Sequence, residues 1–267
     1  MHTSRKGRCA MSNDSIFKTF LVAFLLCVVC SVLVCLAAIV RIDKEAYNQQ
    51  LELRQTVLAA GGYQQQINDG GNVDELFTTN FELKIVDLAT GEYTTAVDAA
   101  TYDQKEAVGN PELAVEIPAD LDVAGIGTRA KYAAVYIEKS GTAVLPIRGT
   151  GFGGMMYGYV SVATDGTTIK GLTFYSHGET PGLGAEVDNP RWKAQWPGKQ
   201  IYSNPGTVAL KVVKNGKFNP SASDAINTID GLAGATNTSK GVHGIVRYWF
   251  GEHGFAPFLA KLKAERG

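Results

Sequence analysis

Along the chain the apolar positions change period repeatedly, and each change marks an element. Residues 20–40 carry no charge. At ~1.5 Å per residue this run of about 21 residues makes a helix of roughly 31 Å, enough to cross the hydrocarbon core of a bilayer. Residues 41–60 are rich in Glu, Gln, Leu and Ala and predict a helical stalk (41–62) stopped by Gly61-Gly62. Two-residue alternation then takes over. Residues 81–88 and 92–97 read as a hairpin about Thr90-Gly91, 132–138 and 142–147 as strands, and 155–163 with 167–175 as a hairpin about Asp165-Gly166. Residues 101–122 show no regular pattern. Asn189-Pro190 predicts a helix start with Trp192 and Trp196 one turn apart. Residues 207–213 predict a strand before Asn215-Gly216, and 239–250 and 257–265 predict closing helices. The pattern predicts an α+β fold: one transmembrane helix (20–40), then a single β-rich domain with flanking helices over 63–267.

The uncharged run exceeds the ~7–15 apolar residues of a cleaved signal peptide, and no small-x-small site ends it. Leu26, Val29 and Val34, which precede Cys27, Cys30 and Cys35, are not the small residues a lipid-attachment site wants. The run is therefore expected to remain as a membrane anchor. Arg5, Lys6, Arg8 and Lys18 stand before it, whereas Arg41 and Lys44 beyond it are interleaved with Asp43 and Glu45. That asymmetry predicts a cytoplasmic amino end (1–19, with Met11 a second possible start) and a periplasmic domain on a bacterial inner membrane. All four cysteines, Cys9, Cys27, Cys30 and Cys35, precede residue 41, so the rest of the chain can form neither an internal disulfide nor a thiolate metal site. With 25 basic against 26 acidic residues there is no broad electrostatic footprint for nucleic acid.

Three stretches carry candidate chemistry. Gly149-Thr150-Gly151-Phe152-Gly153-Gly154 spells G-x-G-x-x-G, but a dinucleotide fingerprint needs a helix directly after its glycines, and residues 155–162 are β-patterned. NADH binding by this chain is thus not expected. Two readings of the stretch stand: backbone that closely approaches a flat ring or phosphate, or a plain turn between strands. His177-Gly178-Glu179-Thr180-Pro181-Gly182-Leu183-Gly184 follows a strand end, and Pro181 with its flanking glycines fixes a turn that exposes N–H groups. Here His177 and Glu179 are expected to be solvated loop residues rather than proton relays. D-G-L-A-G-A-T-N-T-S, from Asp230 to Ser239, sets the Thr236 hydroxyl behind two nearly bare residues, Gly234 and Ala235. The helix expected over 240–250 turns N–H groups toward a phosphate there; the plain alternative is a Thr that caps a helix. Trp192, Trp196 and Trp249 are assigned to the core, and the cysteines of the apolar run to the role of small hydrophobes.

D-G-L-A-G-A-T resembles the flavinylation motif of FMN-binding domains. L-P-I-R-G-T-G-F-G-G-M-M-Y-G-Y-V-S-V (145–162) and G-L-T-F-Y-S-H-G-E-T-P-G-L-G-A-E-V-D-N-P-R-W-K-A-Q-W (171–196) narrow the resemblance to the C subunits of sodium-translocating NADH:quinone reductases, relatives of the G subunits of Rnf electron-transfer complexes. The resemblance implies FMN joined to Thr236 through a phosphoester, with Gly234 and Ala235 clearing the acceptor. It implies that the turn of Thr180, Pro181, Gly182, Leu183 and Gly184 faces the flavin, its N–H groups toward ring carbonyls and nitrogens and Leu183 as an apolar wall, and that backbone at Gly149 and Thr150 approaches the cofactor. It also implies an electron carrier with no catalytic residue and no metal ligand of its own, its flavin attached after export by a separate flavin transferase. NADH oxidation and sodium passage then fall to other subunits, and this flavin lies between an iron–sulfur centre and a further flavin before ubiquinone. Ala233 departs from the Ser or Thr common in relatives and puts a neighbouring hydrogen bond in doubt. The competing expectations are an Rnf-type subunit, a membrane-tethered FMN-binding sensor module, and a structural assembly subunit without flavin.

Overall fold

A computed structural model describes residues 16–204 and 206–266, without the side chains of 37–46, 49 and 266. The expected cytoplasmic end thus lies largely outside the described residues, and so do the side chains of Arg41 and Lys44. The first helix, α1 (Ile16–Ala60), runs unbroken through the expected span and the expected stalk. Its most apolar described stretch is Ile16–Leu36, with a mean hydropathy of 3.0 and none of it buried. Phe24 and Leu33 are more than half exposed, which fits a helix meant for lipid and not one buried in a soluble core. This candidate anchor belongs to a unit that ends at Leu51; a second unit comprises residues 52–267.

In the second unit α1 closes in the way its glycines predict. Tyr63 N–H reaches Leu58 carbonyl, Gly62 N–H reaches Ala59 carbonyl, and Gly62 takes φ +92°, the Schellman geometry. Two short helices follow, α2 (Gln64–Asn68) and α3 (Val73–Asn80), the latter capped by the Asn72 side chain. Next come β1 (Phe81–Asp87), a two-residue β2 (Glu92–Tyr93), α4 (Gln104–Ala107), the small pair β3 (Ala114–Glu116) and β4 (Thr128–Ala130), and the long strands β5 (Tyr132–Glu138), β6 (Ala143–Thr150), β7 (Met155–Val162) and β8 (Ile169–Ser176). The principal sheet is antiparallel throughout, in the order β2-β1-β5-β6-β7-β8.

Side chains two residues apart share a face of this sheet, and both faces are covered. Val135, Leu145 and Val160 point into the larger core, where the closing helices α6 (Thr236–Trp249) and α7 (Ala256–Arg266) supply Ile245, Trp249 and Phe258. Tyr136, Val144 and Tyr159 point the other way, onto Val57, Leu58 and the α3 residues Leu76 and Phe77. This double burial explains why β7 is so apolar along most of its length. Burial holds the Tyr136 phenol neutral, its pKa pushed up to about 12. The Ser161 hydroxyl ties the two layers by donating to the Ala60 carbonyl.

The remaining chain adds Val187, Trp196, Ile201, Leu210 and Ile229 to the larger core. After a turn of 3₁₀ helix (Gly184–Asp188), α5 (Pro190–Lys193) is a single turn, capped by Asn189 as its Asn-Pro start predicts. The strand expected over 207–213 is broken in two: β10 (Thr207–Val208) pairs with β9 (Tyr202–Asn204), and β11 (Lys211–Val213) runs parallel to β12 (Thr228–Asp230). Trp192, Trp196 and Trp249 are all buried, the first two packed edge to face.

Candidate functional site

The Asp230–Ser239 stretch is positioned from its first residue. Asp230 ends β12; its N–H donates to Gln195 Oε1 (2.9 Å), its carbonyl accepts from Trp192 Nε1 (2.9 Å), and its carboxylate accepts from the Gly216 N–H (2.9 Å). Leu232 then buries its side chain. The Ser239 hydroxyl folds back over the turn, accepting from the Leu232 N–H (2.9 Å) and donating to the Ala235 carbonyl (3.0 Å). Gly234 turns the chain at φ +71°, a conformation that side chains with a Cβ adopt at a cost of about 1–2 kcal/mol.

The helix begins earlier than its sequence predicts, at Thr236 itself. A Thr-Asn-Thr-Ser run favours caps and turns, but here the Thr238 hydroxyl is taken by Glu179 and the Ser239 hydroxyl by the turn just before the helix. The N-cap position falls on Ala235, which offers no side-chain acceptor. Ser or Asp at a cap is typically worth about 1 kcal/mol; its absence leaves the first N–H groups of a 14-residue helix open to an external acceptor. Of the hydroxyl-bearing residues in this first turn, Thr238 and Ser239 are 2% and 3% exposed, whereas Thr236 is exposed. Only Thr236 in this turn presents a reachable hydroxyl.

Beside it opens a cavity of about 220 Å³ built by three segments. Phe152 comes from the turn between β6 and β7; Glu179, Thr180, Leu183 and Gly184 come from the loop after β8; Gly234 to Thr238 come from the turn before α6 and its first residues. Phe152 and Leu183 are 68% and 45% exposed, so the cavity has two apolar lips. Within the loop, Leu183 and Ala185 N–H groups turn inward onto the Thr180 carbonyl. Those of the loop that reach a ligand must therefore be others.

One reading of this loop is overturned. Glu179 is not solvated: it is 6% exposed. Its Oε1 accepts the N–H groups of Phe152 (2.7 Å) and Gly153 (2.9 Å), and its Oε2 accepts the Thr238 hydroxyl (2.5 Å). One carboxylate thus joins all three walls. A Cβ on Gly184 would collide with Oε2 and one on Gly151 with Oε1, so both glycines are needed to close around it. His177 is half-buried, with Nε2 2.8 Å from Asp188 Oδ2 and Nδ1 accepting the Glu179 N–H (3.2 Å). That acceptor role puts the ring proton on Nε2. Sequence reasoning left out Phe152 and Thr238, because their partners lie tens of residues away.

The structure brings Thr180, Leu183, Gly184, Gly234, Ala235 and Thr236 around one cavity. Pro181 and Gly182 lie exposed in the same loop without lining it. Gly149 and Thr150 also stand outside the lining. The close approach that Gly149 permits is made by Ile245 of α6, whose Cγ1 occupies the space a Cβ would need, and Thr150 Oγ1 donates to the Gly125 carbonyl (2.6 Å). The G-x-G-x-x-G letters span the end of β6 and a hairpin turn, with strand β7 and no helix behind them.

The residues that line the cavity all fall within a stretch that matches a known family. The FMN-binding domain family matches residues 151–251, from the Phe152 turn through α6. The C subunit of the Na(+)-translocating NADH-quinone reductase of Vibrio anguillarum is 42% identical over 258 residues, 95% of this chain and 98% of that protein. The corresponding protein of Pseudomonas aeruginosa is 41% identical over 94% of this chain and 98% of its own length. Among solved structures, NqrC of Shewanella oneidensis superposes with a TM-score of 0.69 at 34% identity, over 80% of this chain and 97% of its own. The fold, the matched domain and the near full-length identity lead to one conclusion: this chain belongs to the NqrC family, the C subunits of Na(+)-translocating NADH-quinone reductases, and its second unit carries that family's FMN-binding domain.

Proposed function

We propose that this chain is a tethered electron carrier, holding FMN by a phosphoester on Thr236 Oγ1 and passing electrons within a membrane complex that couples NADH oxidation by ubiquinone to sodium export. The observation that carries the proposal is the single exposed hydroxyl at the first position of an uncapped helix, at the mouth of a cavity with apolar lips. A phosphate esterified there lies at the positive end of α6, an arrangement worth about 0.3–1 kcal/mol at an exposed helix end. Phe152 and Leu183 offer apolar surface to a flat ring, and Gly234 leaves room for it. When bound, FMN supplies reversible electron storage; the chain's own residues bind, orient and shield it. Attachment would join Thr236 Oγ1 to the FMN phosphorus in place of the leaving group of an activated flavin nucleotide, with the hydroxyl proton passing to a base on a separate flavin transferase. The Thr236 side must therefore stay open until the cofactor is in place, and the exposure of Gly234 and Asn237 supports this.

Covalency suits a carrier that must release electrons and never diffuse away, because it fixes an effective concentration beyond that of a dissociable flavin. The other reductase subunits and the transferase are the partners this reading requires. The apolar helix serves as a single-pass anchor in the bacterial inner membrane, with its amino end cytoplasmic and the FMN-binding domain in the periplasm, as the basic residues before residue 20 support. A carboxyl-terminal reporter active only in the cytoplasm contradicts that orientation.

The test is Thr236→Ala made alongside the transferase. The variant is expected to fold, to lose the mass increment of an FMN ester, and to lose flavin fluorescence in denaturing gels. Flavin retained through denaturation in that variant refutes the assignment. Thr236→Ser keeps the hydroxyl and is expected to retain part of the attachment.

A further inference from the structure

We propose that Glu179 sets the reduction potential of the flavin site: its carboxylate, buried in the cavity wall, raises the free energy of adding an electron to a ring bound there. The proposal rests on the reading of Thr236 as the flavin acceptor. Its structural basis is the placement of the charge. Glu179 lines the same cavity as Thr236, is 6% exposed, and takes part in none of the ion pairs among the described residues. It is held by three hydrogen bonds and by no cation. Two backbone N–H groups are obligate donors and the Thr238 hydroxyl supplies a third, a set that a carboxylate satisfies in its acceptor-only form.

Dipolar donors spread such a charge without cancelling it, and burial keeps water from screening it. One electron added to the ring, delivered by a one-electron mediator with no bond made or broken, then adds a second negative charge beside the first. The site has an opposing element, the N-terminus of α6, which favours negative charge. Glu179 and α6 therefore pull the potential in opposite directions, and the Thr238 hydroxyl links them. Glu179 acts through the field and through the position of the three walls, so it is a positioning and tuning residue and not a catalytic one.

Glu179→Gln separates charge from geometry. The amide oxygen can accept the N–H groups of Phe152 and Gly153, while its NH₂ donates to Thr238 Oγ1, whose own proton rotates away. Thr238→Val works in the opposite sense by removing one donor and leaving the carboxylate less compensated. The experiment is a redox titration of flavinylated full-length chain in detergent micelles, with intact mass checked for each variant. Glu179→Gln is expected to carry the FMN ester and to favour one-electron reduction about tenfold, a rise of ~59 mV. Thr238→Val is expected to lower the midpoint by a smaller amount. Ester present in all three proteins with unchanged midpoints overturns the inference and leaves Thr236 as the acceptor. If Glu179→Gln takes up no flavin, Thr238→Val alone decides: a lowered midpoint supports the inference and an unchanged one overturns it. Wild-type chain without ester after maturation overturns both readings.

Discussion

Two glycine-rich stretches meet at the cavity and do different work because each leads into a different kind of element. G-T-G-F-G-G leads into β7, so its glycines serve a hairpin turn whose N–H groups are spent on Glu179. D-G-L-A-G-A-T leads into a 14-residue helix, so its N–H groups at the helix start remain open and its one exposed hydroxyl is presented outward. The first stretch builds a wall and the second presents a hydroxyl. Glycine content alone does not distinguish them; the period of the next eight residues does.

The sharpest way to break this contrast is to crowd each stretch in turn. Gly151→Ala puts a Cβ against Glu179 Oε1 and 2.6 Å from Met156 Sδ, which forces the buried carboxylate or the thioether aside. Such overpacking costs about 1–3 kcal/mol, and at roughly 2–4 °C per kcal/mol for a unit of this size differential scanning fluorimetry should show a clear fall in Tm. Gly234→Ala adds a Cβ at a φ of +71° and 3.0 Å from the flexible end of Leu183. The conformational penalty of about 1–2 kcal/mol predicts a smaller fall in Tm but a larger loss of flavin attachment, read as esterified fraction by intact mass. Equal losses of attachment per degree of Tm in the two variants would mean that both stretches act only through stability.

The sequence foretold some of this arrangement and not the rest, for physical reasons. β5, β7 and β8 were legible because strands covered on both faces leave apolar runs rich in β-branched and aromatic residues between turn signals, and Gly61-Gly62 because a Schellman stop needs that residue type. The start of α6 was not, since Thr236, Asn237, Thr238 and Ser239 are cap formers whose helical state depends on Glu179 and on the Leu232 turn. Glu179 itself, set among polar and glycine residues, carries no local sign of burial. Its burial comes from contacts 26, 27 and 59 residues away. The split of residues 207–213 into β10 and β11 also escaped, because their partners β9 and β12 are not neighbours of one strand. Resemblance singled out Thr236 where composition could only suggest a turn.

The contrast also predicts a difference in response to acid. His243 sits two turns into α6, half-buried, with Nδ1 accepting the Val212 N–H (3.2 Å) from β11. Burial lowers its pKa, and the positive charges of Arg247 and Lys211 lower it further. The sign follows from the neutral form being the one the fold accepts. With a folded-state pKa below the unfolded value near 6.5, the unfolded chain binds the proton more readily, so stability rises with pH between the two values and is lost as pH falls from about 6.5 toward the lower one. Protonation at Nδ1 also ejects the Val212 N–H, loosening α6 from β11, while the Gly151 N–H of the hairpin turn is held by a carbonyl and by no imidazole. The protection factor against hydrogen exchange at Val212 should therefore fall below pH 6.5 more than that at Gly151, whose N–H bonds the Gly154 carbonyl. In His243→Gln that extra acid sensitivity should disappear, and its persistence would place the pH response elsewhere on the helix.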